Sequence, residues 1–336
     1  MTFSGIIGHD RVIELLDTEL EHPAQAYLFV GPSSVGKAAV ASRFAAALLT
    51  GEGAQRKAMA GTHPDLIVVE PEGAVSLGVD QAREVVRKAS LAPIESERMV
   101  FLFPEAGSMT EQAANSLLKT LEEPSPSAVF ILVAESEEDL PMTVASRCRS
   151  IQLGRVPSSQ VIDALIARGL PADTAEGLAL VSGGRPGLAL ALMTRPEVAR
   201  FRDLWLSVPG QVTPHPGDGQ RLATSILDEL APLVQEAIPE EASKERAQRA
   251  RRRVEMSLII SGLEILASWY TDAAALQMGA PIRNRDLDLT ALTDVSPRRA
   301  VQCAEMALDA VVDIQANLRR ELVLANLFAG LGSHEG

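Results

Sequence analysis

The feature that most constrains the fold is an alternation of short, continuously apolar runs with longer stretches of helical periodicity across residues 11–134. The runs have the length of buried strands and lie at residues 26–30 (AYLFV), 66–69 (LIVV), 99–103 (MVFLF) and 128–134 (AVFILVA). The helical stretches lie at residues 11–20, 38–49, 79–90 and 110–122. Unbroken apolar strands between helices are typical of parallel sheets covered on both faces. The sequence therefore predicts an α/β domain, which we expect to close near residues 150–153 and thus to span residues 1–153.

The rest of the chain is predicted to be helical and to form two further domains. Between residues 154 and 205, short helical segments alternate with proline and glycine, which predicts a small helical domain. The stretch from Pro209 to Gly219 (PGQVTPHPGDG) contains three prolines and three glycines and is the best linker candidate. Residues 206–336 are predicted to form an all-helical third domain. A chain of 336 residues is long enough for two or three domains, at roughly 150 residues each.

Composition excludes several classes of protein. The chain has 31 Lys and Arg against 44 Asp and Glu, a net charge of −13, with 46% hydrophobic and 4% aromatic residues. Those values are typical of a mainly helical globular protein, and they argue against a protein that coats nucleic acid by itself, because neutralising phosphates requires clustered cations. With five His and two Cys, the chain cannot form the repeated Cys pairs of a zinc ribbon or a disulfide framework.

The apolar runs are also too short for a membrane protein. None of them approaches the roughly 20 residues that are needed to cross a bilayer. The amino-terminal sequence MTFSGIIGHDRVIELLD lacks the basic region followed by an apolar region that marks an export signal. We therefore expect a cytoplasmic protein with no membrane partner.

A glycine-rich loop follows the first apolar run. The segment Gly31–Lys37 (GPSSVGK) matches the first seven positions of a phosphate-binding loop, between a predicted strand and a predicted helix. In such a loop, the glycines let backbone N–H groups turn toward an anion, and Lys37 reaches the outer phosphates. The eighth position is Ala38, which lacks the hydroxyl that ligates Mg²⁺. Two interpretations remain open: the loop binds ATP or ADP through Gly31, Gly36 and Lys37, or the turn persists because the fold needs it.

A nucleoside triphosphatase needs a second acidic group at the end of a neighbouring strand. An Asp at that position holds the shell of the Mg²⁺ ion, and a following Glu polarises water. Here the strand MVFLF ends in Pro104-Glu105, and Pro104 offers no carboxylate. Glu105 is therefore better interpreted as a solvated acid that caps a helix than as a group that orients water.

Two later segments carry a family resemblance. They are Asn115–Pro124 (NSLLKTLEEP) and Ser146–Cys148 (SRC), in that order behind the glycine loop. Together they closely resemble the bacterial clamp-loader branch of the AAA+ ATPases, which serves DNA polymerase III. The resemblance covers about residues 5–200, and it covers the rest only through helical character. It implies an AAA+ α/β domain, a helical lid at 154–205 and a ring-shaped collar built from the third domain.

Departures from the motor subunit of that family, gamma/tau, point to a subunit that does not hydrolyse ATP. Ala38 and Pro104 break the two magnesium-binding motifs. In the lid, Gly187 stands where the motor has a nucleotide-sensing Arg, and Glu135 follows the fourth strand in place of a polar Thr or Asn. The segment at 51–63, where the family carries a zinc-binding Cys cluster, contains no Cys, so we predict no zinc.

The resemblance assigns Arg147 of the SRC motif as an arginine finger. Such an Arg acts in trans on the γ-phosphate of a neighbouring subunit and needs no nucleotide in its own chain. The alternative is that Arg147 forms a purely structural ion pair. Arg149 is expected to point elsewhere as a surface charge or secondary contact, and Cys148 is expected to be a small buried residue rather than a nucleophile.

The partners implied by the resemblance are a gamma/tau motor on the finger side, the clamp-opening delta subunit on the other side, and the sliding clamp with primed DNA through the complex. Two other functions stay open. One is a self-sufficient AAA+ ATPase that uses Lys37 and Glu105, and the other is a module that holds ATP or ADP without turnover.

A basic run lies in the third domain. It comprises Lys244, Arg246, Arg249, Arg251, Arg252 and Arg253. The run could approach a phosphate backbone, but Glu240, Glu241, Glu245 and Glu255 supply acidic partners at helical spacing. A solvated helix face is therefore favoured over a DNA contact.

Overall fold

The computed structural model describes residues 2–71, 76–193, 198–215, 217–236, 244–280, 282, 284, 289–316 and 318–333. The chain divides into two compact units. The first comprises Met1–Ala167, Gly184–Gly187 and Ser243–Arg249, and the second comprises Arg168–Gly183, Leu188–Ala242 and Ala250–Gly336. The finer division into three domains at residues 153 and 205 stays a prediction.

The first unit is built on a five-stranded parallel sheet. Its strands are β1 (Ala26–Val30), β2 (Leu66–Val68), β3 (Met99–Phe103), β4 (Ala128–Val133) and β5 (Arg149–Gln152). They lie in the order β2-β3-β4-β1-β5, and every neighbouring pair is parallel. The helices of this unit are α1 (Asp10–Glu19), α2 (Lys37–Ala47), α3 (Ala54–Met59), α4 (Val79–Ala89), α5 (Glu111–Glu122), α6 (Met142–Ala145) and α7 (Ser158–Ile166). The predicted α/β class is confirmed.

Separate hydrophobic clusters cover the two faces of this sheet. Alternate residues of a strand point to opposite faces, so Leu28 and Phe101 lie in one cluster while Phe29 and Leu102 lie in the other. The aromatic rings of Phe101 and Phe130, which are paired in register, stack with their centroids 5.0 Å apart. Because both faces are buried, the central strands tolerate apolar residues throughout their length, which is why they were visible in the sequence.

A buried carboxylate fixes the loop that leads into β3. Asp65 is fully buried and accepts hydrogen bonds from the backbone N–H groups of Ile94 (2.6 Å), Glu95 (2.7 Å) and Ser96 (2.8 Å). Burial alone would raise the pKa of this carboxyl. The three donors outweigh that effect and hold its pKa below the usual 3.8.

Asp65→Asn is expected to lower the free energy of unfolding by about 2–3 kcal/mol at pH 7, because an amide cannot satisfy three donors that face a carboxylate. The folded-state pKa is depressed, so the stabilisation is fully present above the unfolded-state pKa near 4. It is lost as the pH falls through the lower folded-state value. Urea unfolding at pH 7 and at pH 3 should therefore show a smaller difference between the two proteins at pH 3. The control is Asp80→Asn, whose carboxylate is 92% exposed; equal losses for both variants would contradict this assignment.

The second unit is helical in all of its described elements. They are α8 (Ala172–Ser182), α9 (Pro186–Leu192), whose first two residues belong to the first unit, α10 (Val198–Leu206), α11 (Asp218–Glu236), α12 (Lys244–Gln277), which also begins in the first unit, α13 (Leu289–Thr293), α14 (Pro297–Gln315) and α15 (Arg320–Gly332). Trp205 is fully buried between the rings of Phe201 and Phe328. Gly262 of α12 leaves room for its indole, since a Cβ there would lie 1.9 Å from the ring. The linker candidate at 209–219 lies inside this unit.

The basic run belongs to the start of α12, and most of its side chains lie outside the described part of the chain. Arg251 and Arg252 are exposed. Glu255, which was expected to pair within its own helix, forms an ion pair with Arg320 at 2.7 Å. Among the described helices, none combines the length and hydropathy that a membrane-spanning segment requires.

Candidate nucleotide loop and arginine site

The glycine-rich loop has the geometry of a strand-to-helix turn. It leaves β1 at Gly31, whose φ is 147°, and enters α2 through Gly36, whose φ is 108°. The backbone of Ser34 between them also has a positive φ, 60°. The predicted order of strand, glycine loop and helix is therefore confirmed, with Lys37 as the first residue of α2.

The side chain of Lys37 turns back onto the loop. Its Nζ donates to the backbone carbonyls of Gly31 and Pro32, both at 2.7 Å. The residue is only 8% exposed. In this arrangement the ammonium group stabilises the turn, which agrees with the structural interpretation of the loop and leaves nucleotide binding untested.

The first turn of α9 closes onto the same loop. The backbone N–H of Gly187 donates to the carbonyl of Ser34 at 2.8 Å, and a Cβ on Gly187 would lie 2.8 Å from that oxygen. A larger residue at this position would have to displace one of the two backbones. Arg185 lies before the first residue of α9 and is 1% exposed.

Glu105 and Glu135, which follow the ends of β3 and β4, form hydrogen bonds through their backbone atoms. Glu105 follows Pro104 at the start of the 3₁₀ turn 106–108, and its carbonyl accepts from the hydroxyl of Ser108 at 2.6 Å. The carbonyl of Glu135 accepts from the N–H of Gly31 at 3.0 Å. The N–H of Glu135 donates to the carboxylate of Asp139 at 2.9 Å.

Arg147 lies in the turn between α6 and β5. Its Nη1 donates to the carbonyl of Thr143 at 2.6 Å, and its Nη2 forms an ion pair with Oε1 of Glu122. The side chains of Arg147 and Glu122 are 33% and 48% exposed. The guanidinium is therefore held at the surface by its own domain, and the ion pair that was one interpretation of this residue does form.

The neighbours of Arg147 have different surroundings. Arg149 forms an ion pair at 2.7 Å with Glu19 of α1, whose carboxylate also accepts from the hydroxyl of Tyr27 at 2.9 Å. The Sγ of Cys148 lies 3.4 Å from the carbonyl of Val144, and burial raises the pKa of its thiol to about 12. Cys148 is therefore a packed but only partly buried thiol, where the sequence predicted a buried one, and the two arginines bind to different helices.

Sequence reasoning missed the partner of Arg147. The motif LLKTLEEP served only as a marker of the family, and nothing in its letters shows which of its two glutamates reaches the SRC turn. The spacing between Glu122 and Arg147 gives no local signal, because their contact depends on how α5 packs against α6.

The first half of the chain is similar to known proteins. Residues 8–157 match the model of a family described as DNA polymerase III, delta subunit. The DNA polymerase III subunit delta' of Pseudomonas aeruginosa is 39% identical over 177 residues, which cover 48% of this chain and 54% of that protein. Residues 8–157 are therefore similar to the delta-prime subunits of DNA polymerase III. The five-stranded parallel sheet of this part agrees with the α/β domain that the resemblance implied.

The match to the delta-prime family is a match to part of the chain. The chain spans about half the length of the curated delta-prime relatives it matches. The tau subunit of Bacillus subtilis is 31% identical over 172 residues, covering 48% of this chain and 30% of that protein. A solved structure of a DNA polymerase III gamma subunit-related protein from Thermotoga maritima covers 96% of this chain and 99% of that chain, with 18% identity and a TM-score of 0.46.

Proposed function

We propose that this chain is the delta-prime subunit of a DNA polymerase III clamp loader and supplies Arg147 to the ATP site of a neighbouring gamma/tau subunit. In this proposal it acts as the stator of the loader, which places the sliding clamp on primed DNA. The observation that carries the proposal is the anchored, partly exposed guanidinium of Arg147 within a delta-prime-type domain. A guanidinium in that position stabilises the charge that spreads over the transferring phosphoryl oxygens.

The proposal includes no ATP hydrolysis by the chain itself. Ala38 has no hydroxyl and Pro104 has no carboxylate to hold Mg²⁺. The ammonium of Lys37 is bound to two carbonyls of its own loop. These features support a loop that shapes the domain rather than one that turns over ATP. Zinc is likewise not part of the proposal, because the segment at 51–63 has no Cys.

The proposed partners are the gamma/tau motor, the delta subunit and, through the complex, the clamp and primed DNA. The partnership with such a motor is supported by the names of the relatives, since delta-prime and tau are both subunits of DNA polymerase III. We propose the α/β domain at 1–153, the lid at 154–205 and the collar at 206–336 as the parts that assemble into the ring.

Steady-state ATP hydrolysis tests this function. We expect rapid turnover when the wild-type chain is mixed with gamma/tau and delta subunits, clamp and primed DNA, and only background turnover from the isolated chain. Lys37→Ala should leave the background of the isolated chain unchanged. Hydrolysis by the isolated chain that disappears in Lys37→Ala would instead identify a self-sufficient ATPase.

A further inference from the structure

The guanidinium of Arg147 is held at two points that belong to different elements. Glu122 is the last residue of α5, and Thr143 lies in the single-turn helix α6. Nη2 binds the carboxylate of Glu122, and Nη1 binds the carbonyl of Thr143. Nη1 also lies 3.5 Å from the hydroxyl of Ser146. Both terminal nitrogen atoms of the guanidinium are thereby anchored, which fixes the orientation of its plane.

Both anchors are attached to the core of the domain. Leu121, next to Glu122, is 6% exposed, and Val144, next to Thr143, is fully buried in the same hydrophobic cluster. Pro124 lies just beyond the end of α5. The carboxylate therefore projects from a packed helix end rather than from a loop, and the position of the guanidinium is set by packing as well as by charge.

We propose that Glu122 is the positioning residue for Arg147, holding the guanidinium so that its remaining N–H donors face an oxyanion on a neighbouring subunit. This inference rests on the proposed function of Arg147. A guanidinium has five N–H donors, and the contacts with Glu122, Thr143 and Ser146 involve three of them among the described residues. The others remain for a phosphoryl oxygen.

The effect of Glu122 would be one of orientation. A long side chain such as Arg loses considerable rotamer freedom when it is fixed, and here that loss occurs before the neighbour's nucleotide arrives. The opposing effect is that a carboxylate competes with phosphate for the same cation. Competition is limited because the pair is partly exposed, where ion pairs are weak and screened.

Because the ion pair is partly exposed, its role in function can be tested without unfolding the domain. An ion pair with side chains 33% and 48% exposed contributes little to stability, so loss of Glu122 should leave the domain folded. The adjacent Glu123 is also exposed, and among the described residues Arg147 contacts Glu122 rather than Glu123. Glu123→Gln and Glu123→Ala are therefore matched controls that change the charge at the same helix end.

The test measures ATP turnover of the complete reconstituted loader with Glu122→Ala, Glu122→Gln, the two Glu123 variants, Arg147→Ala and the double variant Glu122→Ala/Arg147→Ala. We expect Glu122→Ala to lower turnover at the ATP site next to this subunit by about threefold to thirtyfold, with KM for ATP within about twofold of wild type. Turnover of the whole loader should therefore fall, but no further than it does in Arg147→Ala. Glu122→Gln keeps an oxygen acceptor and should retain more activity than Glu122→Ala. The Glu123 variants should match wild type.

The double variant decides whether Glu122 acts through Arg147. If it does, removing Glu122 has no further effect once Arg147 is gone, and the two losses do not add. Additive losses, or an unchanged kcat in Glu122→Ala when Arg147→Ala is defective, would overturn the positioning role and leave the finger proposal intact. An unchanged rate in Arg147→Ala itself would overturn the proposed function, and with it this inference.

Discussion

Arg147→Ala is expected to depress the ATP turnover of a reconstituted clamp loader while leaving this chain folded. Where arginine fingers have been measured, they contribute on the order of 10³- to 10⁵-fold to the rate at the site they serve. The loss should be confined to the ATP site next to this subunit. Turnover of the whole assembly will then fall to the rate that the remaining sites sustain.

The fold should survive because the side chain of Arg147 is held by contacts of low energy. Its ion pair with Glu122 is partly exposed, and such pairs are worth about 0–1 kcal/mol. Thermal unfolding of Arg147→Ala should therefore follow that of wild type closely. Assembly with the other subunits, followed by gel filtration, checks that a lower rate does not come from a missing subunit.

Two controls sharpen the interpretation. Arg147→Lys keeps the charge but loses the planar fork of donors, so it should recover only a small part of the rate. Arg83→Ala removes a cation whose side chain is 70% exposed on α4 and should leave turnover unchanged. A wild-type rate in Arg147→Ala would mean that the guanidinium serves only its ion pair with Glu122.

The central part of the sheet could be predicted because its strands are buried on both faces. Strands β1 and β3 have the predicted bounds, and β2 and β4 are each one residue shorter than predicted. The strand β5 was not predicted as a strand, since it lies at the edge of the sheet and only Ile151 among its four residues is buried. An edge strand of alternating exposure carries too short an apolar pattern to be distinguished from a loop.

The site was predictable as a set of residues but not as a set of contacts. Gly31, Gly36, Lys37 and Arg147 were each indicated by local motifs. The contact of Gly187 with Ser34 and the ion pair of Glu122 with Arg147 join residues that are distant in sequence. Contacts of that kind depend on tertiary packing, which cannot be predicted from residue spacing or composition. The resemblance placed Gly187 at a sensing position, and the structure adds a steric reason why a side chain is disfavoured there.

Gly31→Ala is expected to destabilise the first unit by more than about 3 kcal/mol, and so to remove a large part of the 5–15 kcal/mol typical of a folded domain. The backbone of Gly31 has a φ of 147°, which L residues rarely adopt. A Cβ there would lie 1.9 Å from the carbonyl oxygen of Leu153. That oxygen cannot move aside easily, because the N–H of Leu153 is bonded to Val30 at 2.8 Å at the end of the β1–β5 pair.

Gly36→Ala provides the contrast within the same loop. Its φ of 108° also strains an L residue, but its Cβ would meet no heavy atom within 4 Å among the described residues. The expected loss is therefore that of backbone strain alone, about 1–3 kcal/mol. Urea unfolding of the two variants measures the difference, and equal losses would show that β1 and β5 can separate to admit the methyl group.

The difference in stability between Gly31→Ala and Gly36→Ala tests why the glycine-rich loop persists in a chain that we propose does not hydrolyse ATP. If Gly31→Ala is much more destabilising than Gly36→Ala, the first glycine is required by the close approach of Leu153 to the end of β1. Its presence then carries no information about nucleotide. Any evidence for binding must come from Gly36 and from Lys37, whose ammonium would have to exchange the carbonyls of Gly31 and Pro32 for phosphate oxygens.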